Sequence, residues 1–241
     1  MLTKPIALFL FVLLAIPLAS EVLSAEPNSI PTKPNTLQTL IDKANKGDPN
    51  AQYNLGIMYT YGRGVSEDWS EGAKWFSKAA EQGNKDAQCN LGYVYLNGRG
   101  LAQDSNKAIA WFTKAAERGH VDSQCALAMM YAGLGDAPQD YNETFKWCKR
   151  AADQGCFIAQ INLAELYYEG AGVAKDYVEA YKWLLIAGVR EGYYEAKLKQ
   201  NIAAQMTHEQ IAEAEKRAKE FVVKQENPSD TNSSSMCLGG D

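Results

Sequence analysis

From Ala51 onward, apolar and small residues recur at steps of three and four: Ala51, Leu55, Met58 and Tyr59, closing on Gly62. That spacing lines one side of a helix and predicts a first helix, A, in this stretch. Ala73, Phe76, Ala79 and Ala80 carry the same rhythm further on, with Trp75 on the flank. They predict a second helix, B, packed antiparallel to A across a short turn. The hairpin then recurs. At Ala51, Ala87, Ser123 and Ala159 the chain restarts Ala/Ser-Gln-x-x-Leu-Gly/Ala-x-x-Tyr, followed by a glycine-rich turn, an aspartate, a tryptophan and, in the first three units, Lys/Arg-Ala-Ala, at a period of 36 residues.

Four columns hold this register: Leu55, Leu91, Leu127 and Leu163; Tyr59, Tyr95, Tyr131 and Tyr167; Asp68, Asp104, Asp140 and Asp176; Trp75, Trp111, Trp147 and Trp183. A period of about 20–50 residues signals stacked units that cannot bury their apolar faces alone. The fold class is therefore all-α, an α/α superhelical solenoid of antiparallel helical hairpins.

The glycines fit this frame. Gly56 and Gly92, with Ala128 and Ala164 in the same column, lie inside helix A, where Gly costs about 1 kcal/mol relative to Ala. A close crossing that excludes larger side chains explains them. The pairs Gly62/Gly64, Gly98/Gly100 and Gly170/Gly172 fall in the A–B turn, where a left-handed backbone is needed. Unit three carries Gly133-Leu134-Gly135 instead, shifted by one position, and predicts a different turn of the same length. In three units the aspartate is followed three residues later by Glu71, Glu143 or Glu179, and in the second by Lys107. The pattern reads as a capping box, with Asp accepting from the first helical turn and Glu returning to the cap. One carboxylate per unit does not converge on an acid–base or metal site. The turns follow helices and lack both a third glycine and Gly-Lys-Ser/Thr, so they do not read as phosphate cradles.

Units such as Ala87-Gln88-Cys89-Asn90-Leu91-Gly92-Tyr93-Val94-Tyr95, with Gly98-Arg99-Gly100, Asp104, Trp111 and Lys114-Ala115-Ala116, resemble the Sel-one-like repeat family. The likeness runs from Ala51 to about Ala196. It implies an α-solenoid related to tetratricopeptide repeats, acting as a protein-binding scaffold or adaptor.

The organisation read from these signals is a signal peptide over 1–25, a linker over 26–35 and an N-terminal capping helix over 36–50. Repeats follow over 51–86, 87–122, 123–158 and 159–196, then C-terminal capping helices over 197–224 and a disordered tail over 225–241. Leu40, Ile41 and Ala44 ahead of Gly47 mark a half-unit at the start. Thr207 and Gln210 form a capping box opening the last helix. Lys4 and the apolar run Ile6–Leu18 read as a signal peptide, with an uncleaved anchor as the alternative, and no later segment spans a bilayer. The expected location is outside the cytoplasm: periplasmic or secreted in a bacterium, with the eukaryotic secretory pathway as the alternative.

The chain has 24 basic and 29 acidic residues, a net charge of −5, which removing Lys4 and Glu21 with the signal leaves unchanged. No basic block marks nucleic acid or anionic membrane as a partner. His120 and His208 have no metal-ligand spacing, and His120 reads as a surface turn residue. No cofactor motif and no Ser-x-x-Lys is present, and no nucleophile has an evident base. Cys125 and Cys148 lie at similar height on the hairpin of unit three and are the candidate disulfide, although helical phase turns Cys125 away from helix B. The family's cysteine-rich members carry one pair per unit at the spacing of Cys148 and Cys156, which occurs once here and out of position. Those members imply the alternative function, binding of a cell-wall ligand or β-lactam with weak hydrolysis.

If helix A lines the concave side, its outward column forms a candidate groove: Tyr53, Ile57, Thr60, Cys89, Tyr93, Leu96, Met129, Ile161, Glu165 and Tyr168. Such a trough suits a protein or peptide partner. Packing between neighbouring A helices accounts for the same residues equally well. The expectation is a non-enzymatic adaptor.

Overall fold

The computed structural model describes residues 34–188 and 193–226. The signal peptide and most of the tail lie outside them. Among the described residues every regular element is a helix: α1 (Pro34–Asn45), α2 (Pro49–Tyr61), α3 (Trp69–Glu81), α4 (Lys85–Asn97), α5 (Ser105–Glu117), α6 (Val121–Tyr131), α7 (Tyr141–Asp153), α8 (Phe157–Glu169), α9 (Tyr177–Ile186), α10 (Tyr193–Ala203) and α11 (His208–Glu226). Helices α2, α4, α6 and α8 are the expected A helices, and α3, α5, α7 and α9 the B helices. None is long and apolar enough to cross a membrane. Two compact units result. One runs from α1 to Leu127 with Gly135–Ala137; the other comprises Ala128–Leu134 and the chain from Pro138 on.

In the first unit, Leu40 and Ala44 of α1 pack with Ala51, Leu55 and Met58 of α2 and Trp75 of α3. α1 thus packs against the first repeat. A second cluster joins Ile57, Ala73, Phe76, Ala79 and Ala80 to Ala87, Leu91 and Val94 of the next repeat. α4 is thus covered by α3 before it and α5 after it, and α8 by α7 and α9.

The crossing of A and B obeys a size rule. A Cβ on Gly56 would stand 2.4 Å from the Phe76 ring, and one on Gly92 2.6 Å from that of Phe112. In the second unit Ala128 and Ala164 take the glycine column, and Cys148 and Leu184 the phenylalanine column. Smaller side chains on helix B leave room for a methyl on helix A. Phe76, Phe112, Cys148 and Leu184 are all fully buried; removing a ring from such a seat costs about 3–5 kcal/mol.

The glutamine after each initial Ala/Ser joins repeats. The Nε2 atoms of Gln52, Gln88, Gln124 and Gln160 donate to the carbonyls of Ala44, Ala80, Ala116 and Ala152 at 3.1, 3.0, 3.0 and 3.3 Å. Those carbonyls lie near the C-terminal ends of the preceding helices, where intrahelical partners run out. The tryptophan column carries the cation of Lys/Arg-Ala-Ala on its rings: Lys78 over Trp75 at 3.9 Å, Lys114 over Trp111 at 3.8 Å and Arg150 over Trp147 at 5.1 Å.

The aspartates cap as expected, accepting from the amides of Glu71, Lys107, Asn142 with Glu143, and Val178 with Glu179. The return half of the box differs. The amides of Asp68, Asp104, Asp140 and Asp176 donate instead to the carbonyls of Tyr59, Tyr95, Tyr131 and Tyr167 at 2.8–3.0 Å. The glutamates, released from capping, pair with Lys74, Lys146 and Lys182.

Gly100 and Gly172 have positive φ, 78° and 68°, and each lies against the backbone opening the preceding B helix. A Cβ there would come within 2.3 Å of the Trp69 carbonyl oxygen and 2.0 Å of that of Tyr141. The third turn differs as expected, with Gly133 at φ 115° and Leu134 N–H bonded to the Met129 carbonyl, yet Asp140 keeps its bond to Tyr131.

At the C-terminus, α10 begins 36 residues after α8, in register as a further A helix. Thr207 and Gln210 form the reciprocal capping box, at 2.8 and 3.3 Å. α11 buries Ala214 and Ala218 and sets Phe221 edge-on to Trp183 at 5.1 Å. Arg217 bridges Glu179 at 3.1 Å and Glu213 at 2.7 Å.

Candidate functional site

The structure divides the ten groove residues. Ile57, Thr60, Cys89, Leu96, Met129, Ile161 and Glu165 are buried, so they do not line an open trough. The reason is that α4 and α8 each bury eight of their 13 residues; neighbours cover A helices on more than one side, leaving little free face. Thr60 turns its hydroxyl inward to the Gly56 carbonyl at 2.8 Å.

Tyr53, Tyr93 and Tyr168 remain half-buried. Tyr53 lies 6.0 Å from the Phe76 ring and Tyr93 stands edge-on to Phe112 at 4.9 Å. Burial, then the charge of Asp86, pushes the Tyr53 phenol well above its ordinary range, so it stays a neutral donor. Tyr168 pairs with Tyr177 at 5.9 Å, with the Lys175 ammonium 5.8 and 5.9 Å from the two rings.

The candidate disulfide is not formed: Cys125 and Cys148 are both thiols. Cys148 fills the Phe76/Phe112 column and is fully buried. Burial pushes its thiol far up, and the nearby Cys156 and Glu165 add to that. A sulfur in that core seat is spent on packing.

His120 is more than a turn residue. It occupies the N-cap column of Asp48 and Asn84, and its Nδ1 takes the Ser123 amide at 3.2 Å, with the Ser123 hydroxyl at 3.0 Å. Its Nε2 lies 3.2 Å from Asp86 Oδ1 at the start of the neighbouring A helix. Cys89 sits one turn further along that helix. Burial opposes charge on the imidazole, but Cys89 and Asp86 outweigh it and hold its pKa up at about 10. The bond from His120 in turn holds the Asp86 carboxyl below its ordinary range. Residues 86 and 120 are 34 apart, nearly one repeat, so the register contained the signal. Among the described residues no three of His, Cys, Asp or Glu are arranged to hold a metal ion.

Repeated A–B hairpins, linked through glutamine and locked by Asp–Tyr backbone bonds, define an α-solenoid of the kind that generally serves as a protein-interaction scaffold. The Sel1 repeat matches residues 49–84, 85–120, 121–156 and 158–188. The chain belongs to the Sel1 repeat family. Among solved structures it is similar to a Sel1 repeat protein from Oxalobacter formigenes, with 29% identity and a TM-score of 0.64, over 77% of this chain and 54% of that one. It also matches c5321, a protective antigen present in uropathogenic Escherichia coli strains displaying an SLR fold, with 24% identity and a TM-score of 0.40, over 86% and 61% of the two chains. The chain therefore spans between half and two thirds of the length of these relatives. No curated protein matches it.

Proposed function

We propose that this chain is an exported, non-enzymatic adaptor that holds a polypeptide partner on its A-helix surfaces. The observation that carries the reading is the placement of Tyr53 and Tyr93: half-open rings seated on buried Phe76 and Phe112, each keeping a hydroxyl. Rigid aromatic side chains with an apolar body and a polar tip make strong anchors at little entropic cost. Export rests on Lys4 and the apolar run Ile6–Leu18, and the periplasm or the bacterial exterior is the proposed setting.

The test is capture of binders from envelope and extracellular fractions by the chain from residue 26 on, against a Tyr53→Ala/Tyr93→Ala control. Buried Met129 is unsuited as a control, since a charge there would disturb the fold. A protein retained by the native chain and lost from the folded control supports the adaptor. A retained muropeptide, or no difference between the two, refutes it.

A further inference from the structure

The turn between α2 and α3 and the turn between α4 and α5 carry arginines in one column, Arg63 and Arg99, 36 residues apart. The Arg63 guanidinium lies 5.3 Å from the centre of the Tyr61 ring, that of Arg99 5.1 Å from the Trp69 ring, and the two rings are 6.5 Å apart. Burial lifts the Tyr61 phenol to about 12 against the pull of both guanidiniums, so both charges act on one ring. Arg99 is exposed and Arg63 half-buried. Among the described residues neither has an ion pair or a side-chain hydrogen bond, unlike Arg217 with its two carboxylates. Glu67, in the first turn, takes the Trp69 indole N–H at 3.0 Å. The joint between repeats does not call for these charges: Gly172 lies against Tyr141 as Gly100 does against Trp69, with Ala171 in the arginine column, and the third turn has Gly135 there. In a chain of net charge −5, two cations without an acid are a local exception.

We propose, resting on the adaptor reading, that this cluster holds an acidic segment of the polypeptide partner, one carboxylate to each arginine. A guanidinium stacked on a ring keeps its N–H donors at the edge of its plane, in the fork that matches a carboxylate. The ring steadies the arginine stem, so less side-chain freedom is lost when an acid docks. An extended chain sets alternate side chains about 6.5–7 Å apart, the scale of the ring spacing, so a Glu-x-Glu stretch reaches both forks. Opposite charge steers such a segment to this patch of an otherwise acidic chain.

The probe is a short fluorescein-labelled peptide of alternating Glu and Ser, with its Gln and Ser counterpart as control, and binding to the chain from residue 26 on is read by fluorescence anisotropy at low salt. The expected result is that the Glu peptide binds the native chain at least about fivefold more tightly than the Gln peptide. Arg63→Met/Arg99→Met, which keeps apolar stems on the rings and removes both charges, loses that preference with unchanged circular dichroism. Lys43→Met/Lys46→Met makes the same charge change at two exposed lysines near the end of α1 and keeps it. No preference for Glu in the native chain, a preference that survives without the arginines, or one that falls equally in the lysine variant overturns the proposal. So does arginine-dependent binding to phosphatidylglycerol vesicles by a chain that ignores the Glu peptide, which would assign the cluster to an anionic surface. A partner captured equally by the native and arginine-variant chains refutes the acidic segment and leaves the adaptor standing.

Discussion

Replacing Gly172 by Ala isolates the joint between consecutive repeats from ordinary turn strain. Gly172 and Gly155 share a left-handed backbone, φ 68° and 87°, but a Cβ on Gly155 meets nothing within 4 Å, whereas one on Gly172 meets the Tyr141 carbonyl oxygen at 2.0 Å. Both substitutions incur the left-handed penalty of about 1–2 kcal/mol. Only Gly172→Ala must also displace a backbone carbonyl by roughly an ångström, and overpacking of that kind adds about 1–3 kcal/mol. The expected totals are about 1–2 kcal/mol for Gly155→Ala and about 2–5 kcal/mol for Gly172→Ala. With a urea m-value near 2.5 kcal/mol/M, the difference separates the two midpoints by about 0.4–1.2 M. Urea unfolding followed at 222 nm on both variants measures it. Equal midpoints would show that the turn does not bear on the preceding B helix, and the account of the repeat joint would fall.

Gln160→Ala removes the donor to the buried Ala152 carbonyl and should cost about 1–2 kcal/mol, a drop of roughly 2–8 °C in Tm by calorimetry; a change under 1 °C would mean the column is decorative. For pH, the raised imidazole of His120 contributes stability that is complete below about 6.5 and lost as pH rises toward about 10. The depressed Asp86 carboxyl acts oppositely, its contribution present at neutral pH and lost in acid. Melting curves from pH 6 to 10 should therefore fall more steeply for the native chain than for His120→Asn, and parallel curves would contradict the pairing. At the C-terminal cap, Phe221→Ala, which removes a half-buried ring from Trp183, should cost about 1–3 kcal/mol. Arg217→Ala, whose side chain is 43% exposed, should cost under about 1 kcal/mol. Hydrogen exchange in α11 ranks the two, and the reverse order would make the ion pair the anchor.

Repetition made most of the fold legible. A column such as Asp68 to Asp176 is read four times over, so caps, helices and the tight crossing at Gly56 follow from local chemistry. The return half of the capping box was misread because its competitor, the Tyr59 carbonyl, belongs to the previous helix and no local pattern records a backbone bond across a turn. The groove was misplaced for a related reason. Helical phase separates a core face from an outer face only when one side is open, and Ile57, Ile161 and Glu165, outward by phase, are buried all the same. His120 looked like a turn residue because Asp86 is remote in sequence; laying the repeats side by side brings the starts of α4 and α6 together.

The pairing of Gly56 with Phe76 and Gly92 with Phe112, against Ala128 with Cys148 and Ala164 with Leu184, restricts how such a chain exchanges parts with itself. A crossover between the first and third repeats placed inside the hairpin joins a methyl to a phenyl ring, which collide, or a glycine to a thiol, which leaves a hole. The same crossover placed at Gly83 or Gly155, where a Cβ meets little or nothing, carries both members of each pair together. Recombination among the repeats is therefore tolerated at the hinges and penalised within the hairpins, and the array lengthens or shortens by whole steps of 36 residues.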